Sequence, residues 1–142
     1  MSEILVDNLT GKTSAGDITV TSEGGAATQS LQQGLAKVWI DFAGDGSSIN
    51  DSFNVASLND IGTGDYRPNF SSSMSNANYA ITTSGALRPS DSGLCIVLQI
   101  RNILGTPTRK RTSDIRIDGK RSDTDTNLDI GTGCASVNGD LA

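Results

Sequence analysis

The stretch Ser52–Tyr79, SFNVASLNDIGTGDYRPNFSSSMSNANY, decides the fold class. Phe53 and Val55 alternate with polar neighbours, and the turn-forming run Asn59–Asp65 (NDIGTGD) follows them. Beyond this run, the large residues share one parity: Tyr66, Pro68 and Phe70. Alternation with a period of two, bounded by Gly, Asn and Asp clusters, is typical of half-buried antiparallel strands joined by a hairpin. We therefore expect an all-β protein, with Phe53 and Val55 on a single strand before the turn.

The same alternation extends on both sides of this hairpin. One apolar face contains Ala36, Val38, Ile40 and Phe42, and Lys37, Trp39 and Asp41 lie on the other face. Further strands are expected at Asn78–Thr83, at Gly93–Asn102 and at Thr112–Asp118, and a last one between Leu128 and Val137. The apolar run Gly93–Asn102 predicts a central strand, and Asp118-Gly119 predicts a hairpin turn. About seven strands predict an antiparallel β-sandwich, jelly-roll-like in its layout, with an extended N-terminal arm.

The N-terminal third differs from the rest of the chain. We assign residues 1–34 to an arm for attachment and oligomerisation, and residues 35–142 to the β-sandwich domain. The arm contains two short β-prone runs, Ile4-Leu5-Val6 and Asp17–Thr21, and Ala26–Gln33 is expected to form about two turns of helix. Short strands bury little surface alone and pair with other surfaces. The predicted assembly interface consists of the apolar residues of these runs: Ile4, Leu5, Val6, Ile18 and Val20.

Composition limits the possible functions. The net charge of −5 argues against sequence-independent nucleic-acid binding, which requires Lys and Arg to neutralise phosphates. The two cysteines, Cys95 and Cys134, do not form a disulfide framework, and Cys95 is expected to be a buried free thiol. No apolar stretch approaches the roughly 20 residues of a membrane span, and no signal-peptide core follows Met1. We expect intracellular synthesis, no membrane partner and assembly into something larger.

Two segments of the chain carry distinctive motifs. The first segment contains SFNV at Ser52–Val55, GTGDY at Gly62–Tyr66 and ANY at Ala77–Tyr79, together with single matches at Ser57, Asp60, Asn69, Phe70 and Met74. The second is TGKTSAGDITVTSEGG at Thr10–Gly25, followed by SLQQGLAK at Ser30–Lys37. Over roughly Ile4–Tyr79, the chain resembles structural and tail-fibre-like proteins of bacteriophages, especially marine phages. The resemblance implies a virion protein with an N-terminal attachment arm, a β-rich module and a homotrimeric state.

Nothing in the sequence indicates catalysis. The absence of histidine removes His-based triads and His-ligated zinc, and we expect neither an enzyme nor a cofactor. Asp123–Gly131 (DTDTNLDIG) has oxygen donors at alternate positions, but Leu128 stands where a calcium loop of the EF type needs glycine. A polar strand edge is the favoured interpretation, and calcium binding stays open.

Six of the eleven basic residues form a segment that could attract an anionic partner: Arg109, Lys110, Arg111, Arg116, Lys120 and Arg121. Asp114 and Asp118 lie between them, so an ordinary solvated hairpin is the competing interpretation. Trp39 is the only tryptophan, and we expect it to be buried under the arm or against the second sheet. In the alternative, Trp39 or Tyr66 is a stacking platform for a sugar.

The predicted function is that of a phage virion structural protein, a capsid decoration, head fibre or short appendage, assembling as a homotrimer through its arm. Its partners would be copies of itself and a capsid or tail protein. The alternative is a tail-fibre or receptor-binding module that recognises a host surface glycan.

Overall fold

The structure, a computed structural model, describes residues 3–14, 18–91, 96–100 and 110–142. The chain divides into two compact units, Met1–Leu35 and Ala36–Ala142. That the first unit acts as an attachment arm stays a prediction.

The N-terminal unit contains a small hairpin and one helical turn. Strands β1 (Thr19–Thr21) and β2 (Thr28–Ser30) pair antiparallel, and helix α1 (Leu31–Gly34) follows directly. The hairpin is closed by the Ser22 amide, which donates to the Ala27 carbonyl at 2.8 Å, and by the Ala27 amide, which donates to the Ser22 hydroxyl at 3.2 Å.

The predicted two-turn helix over Ala26–Gln33 is wrong. Thr28–Ser30 is strand, because its backbone groups pair with β1, and only Leu31–Gly34 is helical. A single turn forms few internal hydrogen bonds for the residues that it orders, so pairing with a strand competes well with it. Ile4-Leu5-Val6 lies outside any helix or strand.

The second unit is a sandwich of two four-stranded antiparallel sheets. Its strands are β3 (Val38–Ala43), β4 (Ile49–Phe53), β5 (Val55–Gly62), β6 (Asp65–Phe70), β7 (Ala80–Ala86), β8 (Ile96–Gln99), β9 (Ile117–Arg121) and β10 (Thr132–Asn138). The first sheet has the order β4-β3-β10-β7, and the second has the order β5-β6-β9-β8. A short 3₁₀ helix, Pro89–Asp91, lies between β7 and β8. The predicted all-β antiparallel sandwich is confirmed.

The predicted hairpin forms, but its turn is shorter than the run Asn59–Asp65, because β5 continues through Asn59–Gly62. β5 and β6 pair across Thr63-Gly64, where Gly64 has a φ of +62° that favours glycine. The Asp60 carboxylate accepts a hydrogen bond from the Gly62 amide at 3.0 Å, which stabilises the turn locally. The alternate side chains Tyr66, Pro68 and Phe70 of β6 then point into the core.

The core lies between the two sheets. β3 contributes Val38, Ile40 and Phe42, and the Phe42 ring packs on Tyr66 of the second sheet with 5.1 Å between ring centroids. The other buried apolar residues are Phe70, Met74, Tyr79, Leu98, Ile115, Ile117, Ile130, Ala135 and Val137. The period-two prediction for Val38–Phe42 is therefore confirmed.

Phe53 and Val55 belong to different sheets, so the prediction of one strand through both is wrong. Asn54 lies between them with a φ of +59°, which turns the chain from β4 into β5. Its side chain holds the turn, because the amide donates to the Lys37 and Ser72 carbonyls at 3.1 Å each and the oxygen accepts from the Ser72 amide at 2.7 Å. Asparagine tolerates this left-handed conformation better than most residues.

Two expectations for the second sheet are also wrong. Gly119 lies inside β9 rather than at a hairpin turn, and a Cβ there would lie 2.8 Å from the Leu128 carbonyl oxygen. Glycine is therefore needed at this position because the two backbones pack closely against each other. Among the described strands, β8 is not central, because it ends the order of its sheet, and Val97 is 44% exposed. Cys95, in the same predicted strand, lies outside the described residues.

Candidate interaction surfaces

The predicted assembly residues are solvent-exposed apolar side chains of the N-terminal unit. Ile4 and Leu5 are each 83% exposed and Val6 is 59% exposed, although all three are large and apolar. Val20 on β1 is half exposed and lines a shallow depression of about 240 Å³ beside Thr28 and Gln29. Ile18 is half-buried. Ile4, Leu5 and Val6 are contiguous, and whether they join Ile18 and Val20 in one interface stays a prediction.

The first part of the predicted basic segment contacts Tyr79. Arg109 lies outside the described residues. The Lys110 ammonium donates to the Tyr79 carbonyl at 2.9 Å and lies 5.2 Å from the centroid of the Tyr79 ring, a cation–π distance. Arg111 lies 3.9 Å from the Asp114 carboxylate.

The second part of the segment forms ion pairs with acidic residues. Both nitrogens of an Arg116 fork donate to the Asp65 carboxylate, and this hydrogen bonding raises the pKa of Arg116. The remaining two pairs join Lys120 to Asp125 at 3.2 Å and Arg121 to Asp123 at 2.9 Å. Much of the positive charge is thus balanced locally, and attraction of an anionic partner to this segment stays a prediction.

Trp39 lies on the outer face of the first sheet. Its side chain is 37% exposed and points away from the core, opposite to its neighbours Val38 and Ile40, so the expected burial is wrong. The strand register places Phe53, half exposed, directly across from it on β4. Ser136 of β10 lies on the other side, followed by Thr82 of β7. We call this set the aromatic row: Phe53, Trp39, Ser136 and Thr82.

A second row of side chains runs beside the aromatic row on the same face. Asp51, Asp41, Cys134 and Ser84 are consecutive cross-strand partners, and we call them the acidic row. The Asn50 amide donates to the Asp41 carboxylate at 3.1 Å. Burial, followed by the charge of Asp41, raises the pKa of the Cys134 thiol, so the thiol stays protonated at neutral pH. Between the two rows lies a shallow depression of about 280 Å³.

Tyr66 cannot act as a stacking platform. It is fully buried, its ring packs on Phe42 and its hydroxyl donates to the Gly44 carbonyl. That part of the sugar-binding alternative is wrong.

The aspartates of Asp123–Gly131 face three separate cations. Asp123 pairs with Arg121, and Asp125 pairs with Lys120. Asp129 lies 3.3 Å from Arg88, and its carboxylate also accepts from the Gly64 amide at 2.7 Å. Among the described residues, no three Cys, Asp or Glu side chains are grouped so that they could hold a metal ion.

The structure adds Phe53, Asp41 and Asp51 to the surface that the sequence indicated only through Trp39. The alternation of β3 signals that Trp39 and Asp41 share a face, but no local signal shows that β4 aligns Phe53 and Asp51 beside them. No helix in the described part of the chain is long and apolar enough to cross a membrane. Comparisons of the chain with protein-family models, with curated proteins and with solved structures found no match.

Proposed function

We propose that this chain is a non-enzymatic structural protein of a bacteriophage particle, a capsid decoration, head fibre or short appendage, which assembles through its N-terminal unit. The resemblance over Ile4–Tyr79 motivates the phage assignment. The observation that carries the assembly role is the exposure of Ile4, Leu5 and Val6 in a chain whose sandwich unit has a buried core of its own. Contiguous large apolar side chains in water mark a surface that a partner covers.

The energetics favour several contacts made together. Burying Ile4, Leu5, Val6 and Val20 would contribute roughly 1.5–3 kcal/mol each, about 6–12 kcal/mol in all. Association costs roughly 4–15 kcal/mol in lost freedom. The net free energy gained when one arm docks on one surface is therefore small. Reciprocal docking between copies buries more apolar surface and is more favourable. A homotrimer, as the phage resemblance implies, provides three such contacts.

The hairpin of the N-terminal unit offers a second contribution. β1 pairs only with β2 among the described strands, so one edge of β1 has no strand beside it. A two-stranded hairpin is marginal in water, and strand addition by a partner would supply main-chain hydrogen bonds along that edge. A partner could thus add a strand to the edge of β1 and also bury the exposed Val20 side chain of that strand.

Two measurements test this proposal. Quantitative mass spectrometry of purified particles should find the chain at a fixed stoichiometry to the capsid protein, and absence from particles would exclude the virion role. Light scattering of the isolated full chain should show an oligomer at micromolar concentration. Leu5→Asp with Val6→Asp should dissociate it, and Val97→Asp, on the exposed face of β8, should not. A monomeric wild-type chain would contradict self-assembly as a folding requirement.

A tail-fibre or receptor-binding role is the second candidate, favoured by the exposure of Trp39 beside Phe53. A low copy number in the particle would favour this role over decoration, because receptor-binding proteins occur at tail tips rather than over the whole head.

A further inference from the structure

We infer that the outer face of the first sheet binds a neutral carbohydrate, with the aromatic row stacking on sugar rings and the acidic row accepting hydrogen bonds from sugar hydroxyls. This inference extends the second candidate function. It is tested on the isolated chain, so it succeeds or fails independently of whether the chain belongs to a virion.

The aromatic row provides two exposed aromatic side chains, Trp39 and Phe53. Trp39 and Phe53 are cross-strand partners, and such side chains have Cβ atoms about 4.5–5.5 Å apart. The next two positions of the row, Ser136 and Thr82, carry small side chains. Four strands about 4.8 Å apart give a row about 14 Å wide. An aromatic face is electron-rich and attracts the C–H groups that one side of a sugar ring presents.

The acidic row provides hydrogen-bond acceptors at a suitable distance from the aromatic row. Successive side chains on one face of a strand are about 7 Å apart, which separates the two rows by roughly the width of one sugar ring. Asp41 and Asp51 lie directly opposite each other, an arrangement that is destabilising for like charges. Hydroxyl groups that donate to both carboxylates would offset this repulsion, because ionised acceptors form strong hydrogen bonds.

Charge selects the class of sugar. The strand residues on this face, all of them described, include two aspartates and neither lysine nor arginine. A sialylated, sulfated or phosphorylated glycan would meet negative charge and no lysine or arginine on these strands, and Lys37, which precedes β3, is buried. The outer face of the second sheet differs, because Arg67 and Arg116 lie there with acidic partners. A neutral polyhydroxylated ligand therefore fits the first face best.

The first experiment is a glycan array that presents neutral hexose and N-acetylhexosamine oligosaccharides beside their sialylated and sulfated counterparts. Neutral glycans should bind, and the acidic forms of the same glycans should bind less. Because Trp39 is the only tryptophan, titration of the best neutral oligosaccharide should also shift its fluorescence in a saturable way. No bound neutral glycan, or preference for the acidic forms, would overturn the inference.

Variants then assign the site. Trp39→Ala and Trp39→Leu should each weaken binding at least about tenfold by calorimetry, a change of 1.4 kcal/mol. Phe53→Ala should weaken it several-fold, whereas Val97→Ala, an exposed apolar position on the other sheet, should leave it unchanged. Circular dichroism confirms that each variant folds. Equal losses in all variants, or dissociation of an oligomer by Trp39→Leu without any change in sugar binding, would show that this face serves another purpose.

Discussion

Both tyrosines of the chain are buried, so their phenol groups report directly on whether the core is intact. Tyr66 is fully buried, and burial raises the pKa of its phenol to about 12. Tyr79 is 4% exposed and donates to the Arg111 carbonyl at 2.7 Å; burial, followed by the charge of Asp114, also raises its pKa. We predict that neither phenol ionises near pH 10 while the protein is folded.

The consequence for stability follows from the direction of the shift. In the unfolded chain a tyrosine loses its proton near pH 10, whereas folded Tyr66 keeps its proton to about pH 12. The stability contribution is therefore complete below pH 10 and is lost as the pH rises from 10 to 12. For Tyr66 alone, the pKa difference corresponds to roughly 3 kcal/mol, since one pKa unit is about 1.4 kcal/mol. Tyr79 adds to the loss in the same direction.

The assay is an alkaline titration followed by tyrosinate absorbance and by circular dichroism in parallel. The two signals should change together, above pH 10, because ionisation requires unfolding. Tyr66→Phe removes the hydrogen bond to the Gly44 carbonyl, which still accepts from the Ile130 amide at 3.2 Å, and should cost about 1 kcal/mol at neutral pH. In that variant, alkaline destabilisation should be weaker. If either phenol titrates near pH 10 with an unchanged dichroism spectrum, the burial argument is refuted.

Three further predictions concern the energetics of the sandwich. Ile117→Ala should lower the free energy of unfolding by about 2–5 kcal/mol in urea denaturation, because the side chain is fully buried, whereas the exposed Val97→Ala should change it little. Asp65→Asn leaves a partly buried arginine without its carboxylate and should cost about 1–3 kcal/mol. Asp123→Asn breaks a more exposed pair and should cost less than Asp65→Asn; equal costs would contradict this ranking. Gly133→Ala places a Cβ against a buried phenyl ring and should cost about 1–3 kcal/mol, and a stabilised variant would show that the ring moves freely.

Local sequence signals predicted the strands whose determinants are themselves local. Side chains alternate along any strand, so the inward set Val38, Ile40 and Phe42 follows from the order of residues alone. The turn forms inside the predicted run Asn59–Asp65, but it is confined to Thr63-Gly64, because pairing with β6 extends β5 through Asn59–Gly62. Helix propensity is also local, and it predicts a helix over Ala26–Gln33 because it takes no account of β1, which pairs with Thr28–Ser30.

Long-range pairing decided what the sequence could not show. The partner of Arg116 is Asp65, 51 residues earlier in the chain, so the surroundings of the basic segment depend on the docking of β6 beside β9. Gly119 resembled a turn residue locally, yet it is needed where two backbones approach closely.

The sequence by itself determined the all-β class, the main hairpin and the outward parity of Trp39. Only the tertiary structure decided that Phe53 and Asp51 join this face. Asn54 ends β4 and sends the chain into the other sheet, and the register of β4 on β3 then aligns each outward side chain with its neighbour. Register depends on hydrogen bonds between segments that are separate in sequence, and a shift by one residue would reverse which side chains face the solvent.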